Sequence, residues 1–373
     1  MKTKILLITV LILTITIVSG CALNNKAVTD IKTIQIGAIL PLSGDATTYG
    51  KSSQNGIALA KKDLAAKYPD FKLDVIYEDS LYNPKDGVSA YQKLSQTNKI
   101  SGVLIGASFI AIPIRPLADK DNVLQMAIWS SAPSYTATHN LNFRTTLTAD
   151  DTIPTILDYM KAKNLSRLAI IYSNNEFGAS HKNSFVKFAP DAGISIVASE
   201  GVGYENDFRT RLTKIKSLNA DSIFFVGTAG QLANVIKQAN DLDITAQIIS
   251  QGAAEDAQLI TGAGSLADGL VYAYPYDNSS ADTQEFSNAY KEAYGELPNQ
   301  YSAEAYAGLQ LIGEAIHLCQ NKIDIACWKE KLHSLKDFQT ILGSGSFTDL
   351  GDFKAGKVFM KTVKDGGFVP YQN

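Results

Sequence analysis

Short apolar runs of strand length alternate with longer helical patterns along most of this chain. Ile34 to Leu40 has the composition of a buried strand, and a helical pattern from Ser52 to Lys67 follows it. The strand-like runs Leu73 to Tyr77 and Val103 to Ile105 continue the alternation, each followed by another helical pattern. Strands that alternate with helices are typical of parallel sheets covered by helices. We therefore expect an α/β protein whose N-terminal part forms a doubly wound open sheet.

The alternation begins again after Arg144, which predicts a second open, doubly wound lobe. Beyond Tyr276 the chain adds three helical patterns and two strand-like runs. We infer that these late elements return to the two lobes, so that the chain crosses a hinge several times. The predicted boundaries are residues 33–147 with 277–353 for lobe 1, and residues 148–276 with 354–373 for lobe 2.

The N-terminal residues have the pattern of an export signal. Two lysines precede an apolar run from Ile5 to Val18, which is shorter than the roughly twenty residues of a membrane span. The following Val18-Ser-Gly-Cys21 is similar to a bacterial lipobox, in which the cysteine is lipidated. We expect residues 1–20 to be removed, residues 21–32 to be a tether, and lipid on Cys21 to hold the exported protein at a bacterial membrane. The alternative is an uncleaved anchor helix with an incidental cysteine.

Composition argues against several partners and chemistries. The net charge is −3 at pH 7 and no basic stripe is present, which argues against nucleic acid as a partner. His139, His181, His317 and His333 form no metal-type pair and lie beside no nucleophile signature. A Gly-Ser-Gly-Ser sequence at 343–346 lacks the strand–turn–helix context of a hydrolase. We therefore expect no metal, no cofactor and no enzymatic activity.

Two cysteines outside the export signal, Cys319 and Cys327, lie eight positions apart near a predicted helix–helix turn. In an oxidising compartment this spacing favours a local disulfide. Two free buried thiols are the alternative, since a zinc site would lack further ligands nearby.

One strand-to-helix turn has the features of an anion site. The strand Val103 to Ile105 ends at Gly106, Ala107 and Ser108, and a predicted helix follows. A helix N-terminus offers free backbone N–H groups and a partial positive charge, so a carboxylate would be stabilised beside Ser108. The alternative is that Ser108 only caps its own helix.

Short motifs follow one another in a fixed order from the first strand to the C-terminus. They include Ile36-Gly-Ala-Ile-Leu-Pro-Leu-Ser-Gly44, Gly106-Ala-Ser108, Ser131-Ala-Pro133, Phe143-Arg-Thr145, Glu176-Phe-Gly178, Asp268-Gly-Leu270 and Phe347-Thr-Asp349. Together they resemble the leucine/isoleucine/valine-binding proteins of the type I periplasmic binding fold. The resemblance covers essentially the whole mature chain.

The resemblance implies an extracytoplasmic protein that binds a small carboxylate-bearing solute between two lobes. Such a protein delivers its solute to the permease and ATPase subunits of an ABC importer. The alternative is a ligand-sensing receptor lipoprotein that works with a separate signalling partner, and in either case we expect a monomer. The ligand-binding positions that the resemblance implies are Ser108 for the carboxylate, Trp129 and Ser131 beside it, Tyr49 over the cleft mouth, and Phe177 and Thr228 from lobe 2.

This sequence departs from the family at one position. Relatives that bind amino acids use an acidic residue of the second lobe for the ammonium group, and alignment of that loop puts Gly252 there. A buried ammonium without a counter-charge costs several kcal/mol. The solute therefore either lacks an ammonium group or pairs it with Glu255 from a rearranged loop. Phe177, where a tyrosine is common, and the bulky Trp129 favour an apolar or aromatic acid or an amide.

Overall fold

The computed structural model describes residues 33–138, 140–278 and 280–372. Strands and helices alternate through these ranges in the order that the apolar pattern predicts. The strands are β1 (Ile34–Leu40), β2 (Leu73–Asp79), β3 (Gly102–Ile105), β4 (Leu124–Ala127), β5 (Asn142–Arg144), β6 (Arg167–Ser173), β7 (Ser195–Val202), β8 (Ser222–Val226), β9 (Gln247–Gln251), β10 (Val271–Tyr274), β11 (Phe338–Thr340), β12 (Gly343–Phe347), β13 (Phe353–Ala355), β14 (Phe359–Lys364) and β15 (Gly367–Pro370).

Several helices begin at residues that cap their free N–H groups. The side chain of Asn83 accepts a hydrogen bond from the backbone of Lys85, and Pro84 takes the first helical position, which suits its fixed φ. Thr228 and Gln231 form a reciprocal capping box. The helices are α1 (Thr47–Lys67), α2 (Pro84–Lys93), α3 (Ser108–Asp121), α4 (Ala149–Ala162), α5 (Glu176–Phe188), α6 (Arg209–Ser217), α7 (Ala229–Asp241), α8 (Ala257–Ala263), α9 (Gln284–Tyr294), α10 (Gln300–Leu318) and α11 (Ile325–Ser334).

Within the described residues, two open sheets form the centres of two lobes. The sheet of lobe 1 is parallel, with the order β2-β1-β3-β4-β5. In lobe 2 the parallel strands repeat this arrangement as β7-β6-β8-β9-β10, and β14 and β15 extend the sheet in antiparallel pairing. The strand order reverses beside β1 in one sheet and beside β6 in the other. Open α/β sheets bind ligands at the carboxyl ends of strands near such reversals.

The C-terminal helices α10 and α11 return to lobe 1. Buried side chains of both helices, including Leu309, Ile312 and Trp328, share one apolar core with β1, β3 and β4. The side chain of Leu64 on α1 packs against Gly313 of α10, where an added Cβ would lie 2.5 Å from a Leu64 methyl carbon. This close packing fixes α10 beside α1, and it brings the N-terminus of α10 to the cleft.

A small antiparallel sheet of β11, β12 and β13 lies beside lobe 1. It joins the lobe through a bridge between Arg144 and Asp352. The structure also contains a disulfide between Cys319 and Cys327, whose Cα atoms are 6.1 Å apart. The disulfide connects the end of α10 to the start of α11, as the spacing of the cysteines predicts.

The α/β class with two open, doubly wound sheets is confirmed. The bounds of β1 agree with the apolar run from Ile34 to Leu40, whereas the sequence analysis missed β5 and the small sheet, which are short and carry little periodicity. The lobe boundaries stay a prediction. The export signal, the tether and Cys21 lie outside the described residues, as does His139. No helix in the described ranges is long and apolar enough to cross a membrane.

Candidate ligand-binding site

One cavity is lined by residues that follow the carboxyl ends of strands in both lobes. Trp129 and Ser131 follow β4, and Gly252 follows β9. Tyr49 reaches the cavity from α1 and Phe177 from α5. The volume of the cavity is about 60 Å³, so the lining side chains leave only a small space between them. Its position at the carboxyl ends of parallel strands is the one expected for a ligand site in this fold.

Four aromatic side chains form one wall of the cavity. Tyr49 stacks on Tyr301 with ring centroids 4.6 Å apart, and Trp129 meets these two rings edge to face at 6.3 and 5.4 Å. Tyr82 stacks on Trp129 at 6.5 Å. Glycine at position 106 makes room for the indole, because a Cβ there would lie 2.2 Å from Trp129 Cζ2. This wall suits a ligand with an apolar or aromatic body.

A buried arginine holds the loop after β4. The guanidinium of Arg144 is fully buried and donates to the backbone carbonyls of Ser130 at 2.9 Å and Ala132 at 2.7 Å. Its Nε donates to Asp352 at 2.5 Å. These bonds fix the loop that carries Trp129, so the position of the indole in the cavity wall depends on them.

Three buried hydrogen-bond donors of the cavity wall have no partner in the described part of the chain. They are the indole N–H of Trp129, the hydroxyl of Ser131 and the amide NH₂ of Gln251. The amide oxygen of Gln251 accepts from the backbone N–H of Ala253 at 2.9 Å, which fixes the amide with its NH₂ group unpaired. An unsatisfied buried group costs about 1–3 kcal/mol, so such groups are rare. Unpaired donors on one cavity indicate a ligand rich in acceptors, such as a carboxylate.

The first turns of α10 form another side of the cavity. Gln300 and Glu304 are four positions apart and therefore lie on the same face of the helix. The Gln300 amide fills the space beside Gly252, since a Cβ at position 252 would lie 2.1 Å from Gln300 Oε1. Tyr274 helps to hold this turn, because its hydroxyl accepts from the backbone N–H of Gln300 at 2.9 Å. An acidic side chain at position 252 would have no room unless Gln300 moved.

Burial keeps two titratable groups of the cavity neutral. It raises the pKa of the Glu304 carboxyl to about 8, although the Thr146 hydroxyl donates to this carboxyl at 2.9 Å. Burial lowers the pKa of His181 to about 4, although His181 Nδ1 bonds the carbonyl of Phe177 at 2.9 Å. No lysine or arginine of the described residues lines the cavity. At pH 7 the free cavity therefore contains a protonated Glu304 and a neutral His181.

Most residues that the sequence analysis assigned to the ligand site line this cavity, and Ser108 lies just behind it. Ser108 begins α3 and is fully buried, and its hydroxyl accepts from the hydroxyl of Ser130 at 3.1 Å and from the backbone N–H of Ala132 at 3.2 Å. It therefore supports the loop that carries Ser131, and its contact with a ligand stays a prediction. The assigned residues on the cavity wall are Tyr49, Trp129, Ser131, Phe177 and Gly252.

Thr228 and Glu255 are assigned residues that the structure does not bring into this cavity. Thr228 caps α7 and lines a separate groove at the mouth of the cleft. The carboxylate of Glu255 pairs with Lys361 Nζ at 2.5 Å and accepts from the Tyr272 hydroxyl at 2.6 Å. With these two bonds Glu255 lies outside this cavity, and its role in ammonium binding stays a prediction.

The sequence analysis missed Gln300, Tyr301, Glu304 and His181 as cavity residues. One signal was available for Glu304, which is a lone acid within the otherwise apolar start of a long predicted helix. Buried acids are rare unless they are paired or functional. The other three residues gave no such signal, because their place depends on how α5 and α10 approach the cleft.

Known proteins share this architecture across nearly the whole chain. The Leu/Ile/Val-binding protein homolog 2 of Brucella abortus is 25% identical over 341 residues, which cover 89% of this chain and 91% of that protein. An isoleucine-bound substrate-binding protein of a branched-chain amino acid transporter from Streptococcus pneumoniae has a TM-score of 0.81 at 22% identity, covering 90% of this chain and 98% of that one. An ABC transporter solute-binding protein from R. palustris, in complex with 4-hydroxybenzoate, has a TM-score of 0.83 at 22% identity, covering 92% and 96%.

Two open α/β lobes with a cavity at their carboxyl ends define a type I periplasmic binding protein. The family model described as "Periplasmic binding protein" matches residues 33–367. The chain therefore belongs to the periplasmic binding protein family, a family of exported solute-binding proteins rather than enzymes. The resemblance to the Leu/Ile/Val-binding proteins, which the sequence motifs indicate, is confirmed by the family model and by the similarity of a Leu/Ile/Val-binding protein homolog over nearly the whole chain.

Proposed function

We propose that this protein is the extracytoplasmic solute-binding component of an ABC importer. Its solute is a small carboxylate-bearing molecule with an apolar or aromatic body, such as an amino acid or a related acid or amide. The observation that carries this proposal is that Trp129, Ser131 and Gln251, which line one aromatic cavity, each have a buried donor without a partner among the described residues. Relatives of the same fold contain isoleucine and 4-hydroxybenzoate, and both ligands have a carboxylate.

The proposed partners are a permease and an ATPase at the membrane to which lipid on Cys21 would attach the protein. A deletion strain tests this role, because loss of the binding component should abolish high-affinity uptake of the radiolabelled solute. Uptake that persists at the same affinity, together with a lost transcriptional or motility response to the solute, would favour the sensing alternative instead.

A thermal-shift screen of the mature protein tests the ligand class. A ligand that binds only the folded state raises its stability, by about 2.7 kcal/mol at a hundredfold excess over Kd. We expect leucine, phenylalanine or 4-hydroxybenzoate to raise the melting temperature. The methyl esters of the same compounds, which lack the anionic group, should have a much smaller effect. Stabilisation by sugars alone, or by an ester as strongly as by its acid, would contradict the proposal.

A further inference from the structure

A carboxyl group that the sequence motifs do not mark lies in the wall of the cavity. We propose that Glu304 binds an ammonium group of the solute, so that the solute is an amino acid and not a simple organic acid. This inference rests on the proposed function, in which the carboxylate of the solute meets the unpaired donors. The inference assigns Glu304 to the other charged end of the solute, the ammonium group. On this inference, Glu304 is the residue that makes the site select solutes with an ammonium group over solutes without one.

Among the described residues, the carboxyl group of Glu304 has one hydrogen-bond donor, and no cation lines the cavity beside it. Its side chain is 97% buried, and its Oε2 accepts from the Thr146 hydroxyl at 2.9 Å. No lysine or arginine of the described ranges lines the cavity. Other titratable groups share the cavity with Glu304 or act on it from neighbouring elements, and all of them are uncharged at neutral pH. They are Tyr49 of α1, Tyr82, His181 of α5, Tyr274 of β10 and Tyr301 of α10.

Neither of the two other positions considered for a counter-charge presents a carboxylate to the cavity in this structure. The space beside Gly252 is filled by the amide of Gln300. Glu255 is paired with Lys361 and lies outside the cavity. Among the described residues that line the cavity, Glu304 is therefore the one carboxyl group, and it lies one helical turn beyond Gln300 on the same face of α10.

The chemistry of this group suits an ammonium ligand. A buried carboxyl without a cation is held protonated, and the pKa of Glu304 is accordingly raised by burial to about 8. When an ammonium group enters, the carboxyl ionises, its proton passes to the solvent, and the new carboxylate pairs with the ammonium. The aromatic rings of Tyr49, Trp129 and Tyr301 also stabilise a cation better than an aliphatic wall would.

Calorimetry on the native protein measures this proton directly. Leucine and phenylalanine are compared with their deaminated counterparts, 4-methylpentanoate and 3-phenylpropionate, in two buffers of different ionisation enthalpy. With a pKa near 8 in the free protein, binding of the amino acid should release about one proton at pH 6.5 and less than about half a proton at pH 8.5. The deaminated acid should release none and should bind at least about tenfold more weakly.

The variant Glu304→Gln keeps the shape of the side chain and removes its charge. It should weaken amino-acid binding by about thirtyfold or more, abolish the proton release, and change binding of the deaminated acid by less than about threefold. Glu314→Gln is the matched control, because Glu314 lies on the same helix but pairs with Lys67 and Tyr68 outside the cavity.

The outcomes separate this inference from the proposed function. If the deaminated acids bind as tightly as the amino acids, or if Glu304→Gln retains amino-acid binding, the assignment is overturned while the carboxylate site stands. Loss of amino-acid binding in Glu255→Gln with full binding in Glu304→Gln would overturn it in favour of Glu255. If neither the amino acids nor the acids bind the native protein, the proposed function fails and the assignment fails with it.

Discussion

At the scale of the residue, Ser108 and Ser131 have different relations to the cavity. The Ser108 hydroxyl accepts two hydrogen bonds from the loop after β4, whereas the Ser131 hydroxyl is buried in the cavity wall with no partner among the described residues. A hydroxyl that bonds its own loop stabilises the fold, and one without a partner is available to a ligand. Substitution of each serine therefore distinguishes a residue that supports the site from a residue that binds the ligand directly.

We expect Ser131→Ala to weaken binding of the carboxylate ligand by about 1.5–3 kcal/mol, as for a hydrogen bond to a charged group, and to leave the melting temperature close to that of the native protein. Ser108→Ala should lower both the affinity and the melting temperature, since it also removes bonds to Ser130 and Ala132. Calorimetry and thermal unfolding of the two variants provide the comparison. An unchanged affinity of folded Ser131→Ala would contradict the assignment of this hydroxyl to the ligand.

At the scale of the element, the loop after β4 depends on an ion pair with the small sheet. Arg144 at the end of β5 is fully buried, and Asp352, just before β13, is its carboxylate partner at 2.5 Å. Asp352 also accepts from the Thr136 hydroxyl at 2.7 Å. The C-terminal part of the chain thus stabilises a loop of the ligand site that lies some two hundred residues earlier.

Removal of the carboxylate should therefore be costly, because it leaves a buried guanidinium without its counter-charge. We expect Asp352→Ala to lower the free energy of unfolding by about 3–5 kcal/mol. Asp207→Ala is the control, since its pair with Arg209 is exposed and should contribute less than about 1 kcal/mol. Urea unfolding of both variants measures the difference. A loss for Asp352→Ala no larger than that for Asp207→Ala would show that the loop does not depend on the pair.

At the scale of the whole molecule, hydrogen bonds across the cleft hold the two lobes together. The Tyr49 hydroxyl on lobe 1 accepts from the backbone N–H of Ala229 at 3.1 Å and donates to the carbonyl of Ala253 at 3.4 Å, both on lobe 2. The Gln258 amide donates to the carbonyl of Asp45 at 3.0 Å. With its cleft bridged and its cavity small, the structure has the features of a closed state.

We expect Tyr49→Phe to shift the unliganded protein toward an open state, because the hydroxyl makes two of the hydrogen bonds that cross the cleft. Small-angle X-ray scattering should show a larger radius of gyration, and calorimetry should show ligand binding weakened by about 1–2 kcal/mol. Tyr306→Phe is the control, since its hydroxyl bonds Asp63 within lobe 1. Equal radii and equal affinities for the two variants would show that Tyr49 does not stabilise closure.

Much of the fold could be predicted from local patterns. The apolar run Ile34–Leu40 predicts a strand with the bounds that the structure shows, because a strand buried on both faces is largely apolar. The spacing of Cys319 and Cys327 predicts their disulfide. The small sheet of β11 to β13 was not predicted, since its strands are only three to five residues long and β12 is interrupted by two glycines.

The sequence by itself determined two open α/β sheets and the turns at their strand ends, because the period of apolar residues is a local property. It also placed Trp129, Ser131 and Gly252 at those ends. Only the tertiary structure decided what the cavity contains. Gln300 meets Gly252 across 48 positions of sequence, and Glu304 enters the cavity because α10 packs against α1 and presents its first turns to the cleft. No local pattern records where two elements distant in sequence will cross.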